Sequence, residues 1–444
     1  MKRIIAYAQA ILQDARLAEG LYGLWLLGLS LSKGLASTAM VLLLLLTGYH
    51  WLRERRLPGR LPWLPVVLWL CYALSLLWTS DLRSGWRTLW IQNVMLFIPV
   101  ITAGCTPLLR SRLEALTGWL LAGALLSALA TLALYAMPEE QVRQLAESWS
   151  ALKRYHNTHD RTQFGLYTPF AHRLQFANVL LVSVLGALWL WSAAPRRRWW
   201  LLPAILVLAL TQLLLGGRGA QLAMLAGGAV WLTLQYLRVL HPRISRRAGK
   251  AASWMLLAAL LLLGGLAAPW LAYRHVPAVT KRYDQLRFEV QLYANGRMQE
   301  FNYREFTVVR RILFYRNAWT LAADKPLGGA GIGDYEADMQ SIYARDGLGF
   351  PVNSHNQILY AWAAAGLPAG LATAAILLAG LLAGLRNPDP GRRAFLTAIA
   401  AALWVLVWID AIYKAQPDAM LFIMVFGWAA ATAGGGLTSA QSKH

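Results

Sequence analysis

Apolar runs long enough to cross a membrane recur along the entire chain. Hydrophobic residues make up 57% of the 444 residues and charged residues only 14%, whereas about a quarter of a soluble domain is charged. A membrane-spanning helix needs roughly 20 apolar residues, and about twelve such spans can be drawn. The sequence therefore predicts an all-α, polytopic integral membrane protein. The predicted spans are 20–32, 35–52, 62–79, 86–103, 115–136, 174–193, 199–216, 219–237, 251–272, 356–385, 394–409 and 418–435.

The distribution of lysine and arginine predicts how the chain is oriented. Short cytoplasmic loops carry an excess of these residues. If the N-terminus is cytoplasmic, the inner segments hold half of the 42 Lys and Arg residues and about twice as many as the short outer loops. The net charge of +21 then reflects topology, and we expect no binding of nucleic acid. The inner segments are 1–19, 51–60, 104–114, 194–198, 238–250, 386–393 and the C-terminal tail.

Two long loops are predicted on the outer side, 137–173 and 273–354. No polar stretch exceeds about eighty residues, which is small for a domain, so residues 1–444 are predicted to form a single membrane domain. Loops of this length are usually functional or disordered. Within the larger loop, residues 281–293 and 302–323 have mixed apolar and basic faces, which predicts two helices at the membrane interface.

Neither the N-terminus nor the cysteines indicate a secreted protein. The first twenty residues are amphipathic without a cleavage site after a short apolar core, so we do not expect a removable signal peptide. The two cysteines, Cys71 and Cys105, fall in or near different spans. They imply no disulfide framework and no metal cluster.

Arg218 lies in a tight outer turn, Leu215-Gly216-Gly217-Arg218-Gly219. Glycines let the backbone turn sharply, and an arginine at that depth is costly unless it is paired or meets an anion. The alternative is a topological residue whose side chain reaches the interface. Lys33 and Arg161 are two further outer cations, for which a topological role is the default interpretation.

A basic helix is predicted in the larger loop. Helical spacing places Arg304, Arg311 and Tyr315 on one face. Arginines at a membrane surface suit a diphosphate, because the planar guanidinium makes bidentate, charge-assisted hydrogen bonds. Contact with anionic headgroups of membrane lipids is an equally good interpretation of the composition.

His355 lies at the start of a predicted span, after Ser354 and before Asn356. Histidine is the side chain that titrates near neutral pH, and it can take a proton from a hydroxyl nucleophile. A lone interfacial histidine is more often structural. Its position beside the arginine-bearing loop favours the catalytic interpretation.

The run Gly328-Gly329-Ala330-Gly331-Ile332-Gly333 is similar to a phosphate-binding glycine loop. However, it follows no predicted strand and faces away from cytoplasmic nucleotides, so it is a weak dinucleotide motif. We interpret it as a flexible turn.

No metal site is predicted. His156, His159 and Asp160 have the spacing of a helical metal face, but nothing else in their loop completes a site. A metal-dependent transferase acting on a lipid diphosphate needs acidic ligands at the outer ends of its early spans. The second outer turn offers only Asp81 and the first has none. If the substrate is a lipid diphosphate, arginines would therefore have to neutralise it.

The pattern of these residues resembles the O-antigen ligase and polymerase superfamily. That family has an outer arginine in a short turn, an Arg-x-x-x-aromatic-x-x-Ala stretch, a Pro-x-x-Gly-x-Gly run and a His-Asn pair at the start of the next span. A large outer loop between spans nine and ten also fits. The matching residues are Arg218, Arg311, Tyr315, Ala318, Pro326 to Gly333, and His355-Asn356-Gln357.

Within the superfamily the chain looks like the lipopolysaccharide O-antigen ligases. The resemblance implies a lipid-linked glycosyltransferase of GT-C-like architecture in the bacterial inner membrane, with its active site facing the periplasm. Its partners would be undecaprenyl diphosphate-linked O-antigen, the lipid A core oligosaccharide and membrane lipids, with neither metal nor cofactor. The O-antigen polymerases and the protein-glycosylating ligases share the motif and remain alternatives. A sugar permease or flippase is the alternative from another class, although the chain has few of the intramembrane acids typical of transporters.

The resemblance also implies roles for the candidate residues. Arg218 and Arg311 would clamp the diphosphate, and His355 would act as the base on the acceptor hydroxyl, in a single displacement that inverts the anomeric configuration. Lys33, Arg161 and Tyr315 would be further substrate-binding residues.

Overall fold

The computed structural model of the chain describes residues 15–55, 57–148, 168–196, 198–215, 217–275, 277–297, 307–345, 354–414 and 416–433. Within these ranges the protein is helical and contains no β-strand. The predicted all-α class is therefore confirmed. Five residues considered above lie outside the described residues: His156, His159, Asp160, Arg161 and Arg304.

The first half of the chain contains nine described helices. A 3₁₀ turn, Leu76–Trp78, extends the third helix. The helices are α1 (Ala15–Leu31), α2 (Lys33–Glu54), α3 (Trp63–Ser75), α4 (Leu82–Ile91), α5 (Val94–Gly104), α6 (Thr106–Ala136), α7 (Glu139–Ser148), α8 (Arg173–Ala193) and α9 (Leu201–Leu214).

The second half contains the larger loop between its apolar helices. A π-helical turn at Leu263–Ala267 and a 3₁₀ turn at Ile412–Lys414 are its irregular pieces. The helices are α10 (Arg218–Val239), α11 (His241–Leu262), α12 (Ala268–His275), α13 (Pro277–Ala294), α14 (Thr307–Asp324), α15 (Tyr335–Arg345), α16 (Gln357–Ala365), α17 (Leu367–Leu385), α18 (Pro390–Val407) and α19 (Gln416–Ala433).

Seven of the described helices are long and apolar enough to cross a membrane. Large leucines on their outward faces are uncovered, for example Leu45 (63% exposed) and Leu222 (54%), as expected for a surface that meets lipid. A polytopic membrane protein follows from these helices, whereas the count of about twelve spans stays a prediction. The seven are α2, α6, α8, α10, α11 with its π-helical extension, α17 and α18.

Two of the predicted spans are interrupted. The span expected at 86–103 is divided by a turn at Gln92 and Asn93, where the Asn93 side chain accepts a hydrogen bond from Trp69 Nε1 at 3.1 Å. The span expected at 356–385 breaks at Gly366, which has a φ of +85°. Pro368 follows in the first turn of α17, where its missing N–H is tolerated. Hydropathy alone does not predict such breaks, because apolar residues continue through both.

The centre of the bundle is formed by α8, α18 and α19, whose residues are buried almost all round. Small residues permit the backbones of neighbouring helices to approach closely. A Cβ added at Gly227 of α10 would lie 2.8 Å from the carbonyl oxygen of Ala398 in α18. Such small-residue contacts are typical of packed membrane helices. One polar pair crosses this core, since Asn178 Nδ2 donates to Asp418 Oδ1 at 2.9 Å.

The glycine run at 328–333 is a packed turn. Its N–H groups at Ala330 and Gly331 donate to the carbonyl oxygens of Ala363 and Ala364 at 2.8 and 3.0 Å. The N–H of Ile332 donates to Ser75 Oγ at 3.2 Å. These donors are therefore occupied by protein and do not form a phosphate cradle. The prediction of a turn is confirmed. The prediction that this turn is flexible is wrong, because residues 329–333 are buried.

The same turn attaches the larger loop to the bundle at two places. On one side, Leu367 N–H donates to the Pro326 carbonyl at 2.9 Å, beside the break that separates α16 from α17. On the other, the Asp334 carboxylate accepts from the N–H groups of Ser80 and Asp81 at 2.6 and 2.8 Å. The loop helices α14 and α15, which flank the turn, are thereby held against the end of the bundle.

We expect Gly331→Ala to destabilise the protein. Gly331 has a φ of +98°, and an added Cβ would lie 2.6 Å from Thr79 Oγ1, so the cost is about 1–3 kcal/mol for the backbone conformation alone. Gly228→Ala is the matched control, because nothing lies within 4 Å of its added Cβ and alanine favours the helix. Thermal unfolding in detergent should show a lower melting temperature for Gly331→Ala only. Equal melting temperatures for the two variants would contradict the packed turn.

Candidate functional site

The segment Ser354-His355-Asn356-Gln357 is held by its own hydrogen bonds at the start of α16. Asn356 caps the helix, with its Oδ1 accepting from Leu359 N–H at 2.9 Å. Gln357 Oε1 accepts from the N–H of Tyr413 at 2.8 Å, which ties α16 to the turn before α19. His355 lies between these anchors with a φ of +47°. Such left-handed geometry is uncommon outside glycine, and strained residues of this kind concentrate at functional sites.

His355 faces a carboxylate that lies 55 residues later in the sequence. Its Nδ1 lies 3.3 Å from Asp410 Oδ1, and the two side chains are 25% and 31% exposed. Asp410 lies three residues after the end of α18, and its Oδ1 also accepts from the N–H of Ala411 at 2.8 Å. A carboxylate beside Nδ1 favours the tautomer with the proton on that nitrogen, which makes Nε2 the proton acceptor.

Asp410 is ionised in this setting. Burial alone would raise its pKa, but the hydrogen bond and charge of His355, the N–H of Ala411 and the charge of Arg311 together hold the pKa below the usual range for a carboxyl. Sequence reasoning missed Asp410. The available signal was an acidic residue at the end of an apolar span, which is unusual unless it has a partner or a function.

Helix α14 brings three residues to this pair. The Phe314 ring stacks on the His355 imidazole with centroids 5.2 Å apart and planes 26° apart. The Tyr315 hydroxyl donates to the carbonyl oxygen of Trp408, two residues before Asp410. Arg311, one turn earlier on α14, acts electrostatically on both Tyr315 and Asp410. The predicted grouping of Arg311, Tyr315 and His355 therefore occurs in the structure.

The pKa of the Tyr315 hydroxyl is affected by burial and by two opposite charges, those of Arg311 and Asp410. Desolvation raises the pKa of its hydroxyl, the charge of Arg311 lowers it and the charge of Asp410 raises it. The net shift is upward, so the hydroxyl keeps its proton and acts as a donor. Tyr315 thus anchors α14 to the chain around Trp408 rather than serving as a base.

Arg218 reaches the same end of the bundle through the packing of α10 on α18. It is the first residue of α10, after Gly217. A Cβ added at the next residue, Gly219, would lie 2.9 Å from Ile409 Cγ2, and Ile409 directly precedes Asp410. Because Arg218 lies at the N-terminus of α10, the positive end of the helix dipole adds to its charge, which favours binding of an anion.

Lys33 belongs to the same electrostatic environment. It begins α2 after Ser32, whose side chain caps that helix. Desolvation and the charges of Arg173 and Lys33 lower the pKa of His172, and the charge of Asp410 opposes them. Four cations, Lys33, Arg173, Arg218 and Arg311, thus lie toward the end of the bundle that carries Asp410. We call this end, defined by His355 and Asp410, the site end.

Within the described ranges there is no group of three or more His, Cys, Asp and Glu side chains that could hold a metal ion. The charges identified at the site end are these cationic side chains and the carboxylate of Asp410. This combination suits an anionic group held by the arginines beside a hydroxyl that approaches His355. Arg161, the remaining predicted substrate-binding residue, lies outside the described residues.

Residues 203–374 match the family model described as O-antigen ligase. The matched region contains Arg218, Arg311, Tyr315 and His355, whereas Lys33 and Asp410 lie outside it. A comparison with curated protein sequences gives no match.

We expect Asp410→Asn to destabilise the protein in a pH-dependent way. Because the folded-state pKa of Asp410 is lowered, its carboxylate stabilises the fold above the ordinary value of about 3.9. This contribution is lost as the pH falls through the lowered pKa. Between roughly pH 5 and 8 the variant should melt about 2–4 °C below the parent, and the difference should shrink towards pH 3.

The control for this measurement is Asp324→Asn, at the exposed end of α14. It should leave the melting curve unchanged over the whole pH range. A melting difference for Asp410→Asn that is the same at pH 3 and pH 7 would contradict a stabilising carboxylate–imidazole pair.

Proposed function

The chain is an O-antigen ligase-type protein, matched over residues 203–374, and from this premise we propose that it is a glycosyltransferase acting on lipid-linked polysaccharide. It transfers O-antigen from undecaprenyl diphosphate to a hydroxyl group of the lipid A core oligosaccharide. The reaction takes place on the periplasmic face of the bacterial inner membrane. The observation that carries this proposal is the His355–Asp410 pair, next to Arg311, at the end of the bundle opposite the arginine-rich loops.

The pair is suited to general base catalysis. Asp410 holds Nδ1 of His355, so Nε2 takes the proton of the acceptor hydroxyl as its oxygen attacks the anomeric carbon of the donor sugar. A new glycosidic C–O bond forms, and the bond from the anomeric carbon to the diphosphate oxygen breaks. The leaving group is undecaprenyl diphosphate, and one displacement inverts the anomeric configuration. General base catalysis by a positioned side chain contributes typically 10²–10⁴-fold in rate.

The arginines supply the electrostatic part of the mechanism. Negative charge grows on the diphosphate as it leaves, and preorganised cations stabilise that charge in the transition state. Arg311 is held near the base because Tyr315, four residues later on α14, is hydrogen bonded to the Trp408 carbonyl. Arg218 approaches from the start of α10, and Lys33 and Arg161 are assigned to further phosphate contacts on the donor or the core.

The stacking of Phe314 on His355 has a positioning role in this proposal. Phe314 is almost fully buried and also meets Tyr343 of α15 edge to face, with centroids 5.7 Å apart. The imidazole is thus fixed by an aromatic face as well as by a carboxylate. Rigid support of this type keeps a base within the narrow geometry that catalysis requires.

We expect His355→Ala and Arg311→Lys to impair transfer to different extents. His355→Ala removes the base and should lower the rate by about 10²–10⁴-fold. Arg311→Lys keeps the charge but loses the bidentate geometry, so a smaller loss of about 10- to 100-fold is expected. The measurement is single-turnover formation of glycan-bearing lipid A core from purified protein, lipid-linked glycan and acceptor.

The matched control is Arg287→Lys, on an exposed position of α13, which should transfer at the parental rate. Folding of each variant is checked by its melting temperature in detergent. Parental transfer rates in a folded His355→Ala protein would eliminate the base assignment.

The class of reaction is tested in a deletion strain. Loss of all O-antigen bands from lipopolysaccharide, with lipid-linked polymer accumulating, is the expected result for a ligase. A single capped repeat unit would instead indicate a polymerase. If purified protein in liposomes translocated the lipid-linked glycan without forming product, the permease class would replace the transferase.

A further inference from the structure

A cavity lies at the end of the bundle opposite the site end, between α6, α8, α9 and α18. Its volume is about 560 Å³, within the range of small-molecule sites. Arg392, near the start of α18, is one of its lining residues, whereas Asp410 follows the far end of the same helix. Because α18 has 18 residues, a full helix length of about 27 Å separates the cavity from the site end.

The rim of this cavity carries an excess of positive charge. Arg112, Arg198 and Arg392 line it together with a single acid among the described lining residues, Glu114. Arg198 Nη2 is paired with Glu114 Oε2 at 2.7 Å, so those two charges offset each other. Two arginines, Arg112 and Arg392, therefore leave the rim cationic.

The recorded contacts of these two arginines use only part of their N–H donors. The Arg392 Nη1 donates to the carbonyl oxygen of Arg110 at 2.8 Å, which uses one of its five N–H groups. The Arg112 Nε lies 3.9 Å from a Glu19 oxygen, and the Arg112 side chain is 63% exposed. At that distance and exposure the pair with Glu19 is weak. An anion between the two guanidinium groups would gain charge-assisted hydrogen bonds.

Below the rim the wall is apolar and recessed. Residues Ala115, Gly118, Ala122 and Leu125 of α6 line the cavity, and their spacing of three and four residues places them on one helix face. Nothing lies within 4 Å of a Cβ added at Gly118, so the face is open at this position. Leu190 and Leu201 close the opposite side.

We propose that this cavity binds one anionic glycerophospholipid, with its phosphate between Arg112 and Arg392 and an acyl chain along the Gly118 face of α6. A soluble anion would not use the apolar wall, and a zwitterionic lipid would not offset the charge of the rim. Trp200 lies at the rim and is 52% exposed, as tryptophans at the headgroup level of a membrane are. Basic pockets between membrane helices on the cytoplasmic side bind anionic headgroups in this manner.

The proposal is tested by native mass spectrometry of the full-length, delipidated protein. The protein is titrated with phosphatidylglycerol and, separately, with phosphatidylcholine of the same acyl chains. We expect one phosphatidylglycerol to bind at least about tenfold more tightly than phosphatidylcholine. Both lipids carry the phosphate, but the quaternary ammonium of the choline headgroup cancels the net charge of the lipid and is repelled by the two arginines. Equal affinities for the two lipids would overturn the proposal.

Variants then assign the binding to this cavity. The double variant Arg112→Gln/Arg392→Gln should lose the preference for phosphatidylglycerol. The control Arg246→Gln/Arg386→Gln removes the same charge from exposed residues that do not line the cavity, and it should keep the preference. Equal loss in both double variants would mean non-specific surface attraction and would reject the site.

A variant with unchanged charge tests the apolar part. Gly118→Leu adds bulk to the wall at a position where an added Cβ meets no atom within 4 Å, and it should weaken phosphatidylglycerol binding. Gly228→Leu, at an equally open glycine of α10, should not. Melting temperatures verify that each variant is folded. Displacement of the lipid by equimolar inorganic phosphate would show that the wall is unused, and tighter binding of a polyprenyl diphosphate would identify a different occupant. Either result would refute the phospholipid assignment.

Discussion

The buried break between α16 and α17 is the constraint on which the arrangement of the site depends. A buried backbone break leaves N–H and C=O groups that must find partners within the protein. The turn at 326–333 provides them, because it pairs with the carbonyl groups of Ala363 and Ala364 and with the N–H of Leu367. The hydrogen bonds that satisfy the backbone groups at the break therefore also hold the larger loop in place. This places α14 so that the ring of Phe314 stacks on His355 and the charge of Arg311 acts on Asp410.

The candidate site combines groups whose charges compete. Arginines that bind a diphosphate must be held close together, and a carboxylate nearby lowers the repulsion among them. Asp410 does this while it orients His355, since its lowered pKa reflects both His355 and Arg311. In the proposed mechanism, one ionised carboxylate keeps His355 in the tautomer that a base needs and reduces the repulsion among the cations before substrate arrives. An arginine cluster alone would offer binding without a base.

Local patterns in the sequence predicted the parts of the site that a single segment supplies. Arg311 and Tyr315 share a helix face through their spacing, and His355 marks the start of a helix capped by Asn356. Asp410 was not predictable in this way, because it meets His355 across 55 residues of sequence through the packing of separate helices. The breaks at Asn93 and Gly366 were missed for a related reason. Hydropathy records how apolar a segment is and contains no information on where its backbone turns.

Arginine serves two different purposes at the two ends of this bundle, and its neighbours decide which. At the site end, arginines lie beside a histidine held by a carboxylate, so a bound anion would be presented to a base. At the other end, Arg112 and Arg392 line a cavity with a recessed apolar wall. Among the described lining residues only Glu114 could act as a general base, and it is paired with Arg198. The first environment favours transfer chemistry and the second favours retention of a lipid. The net charge of +21 therefore includes arginines of both proposed sites as well as those predicted to set the topology.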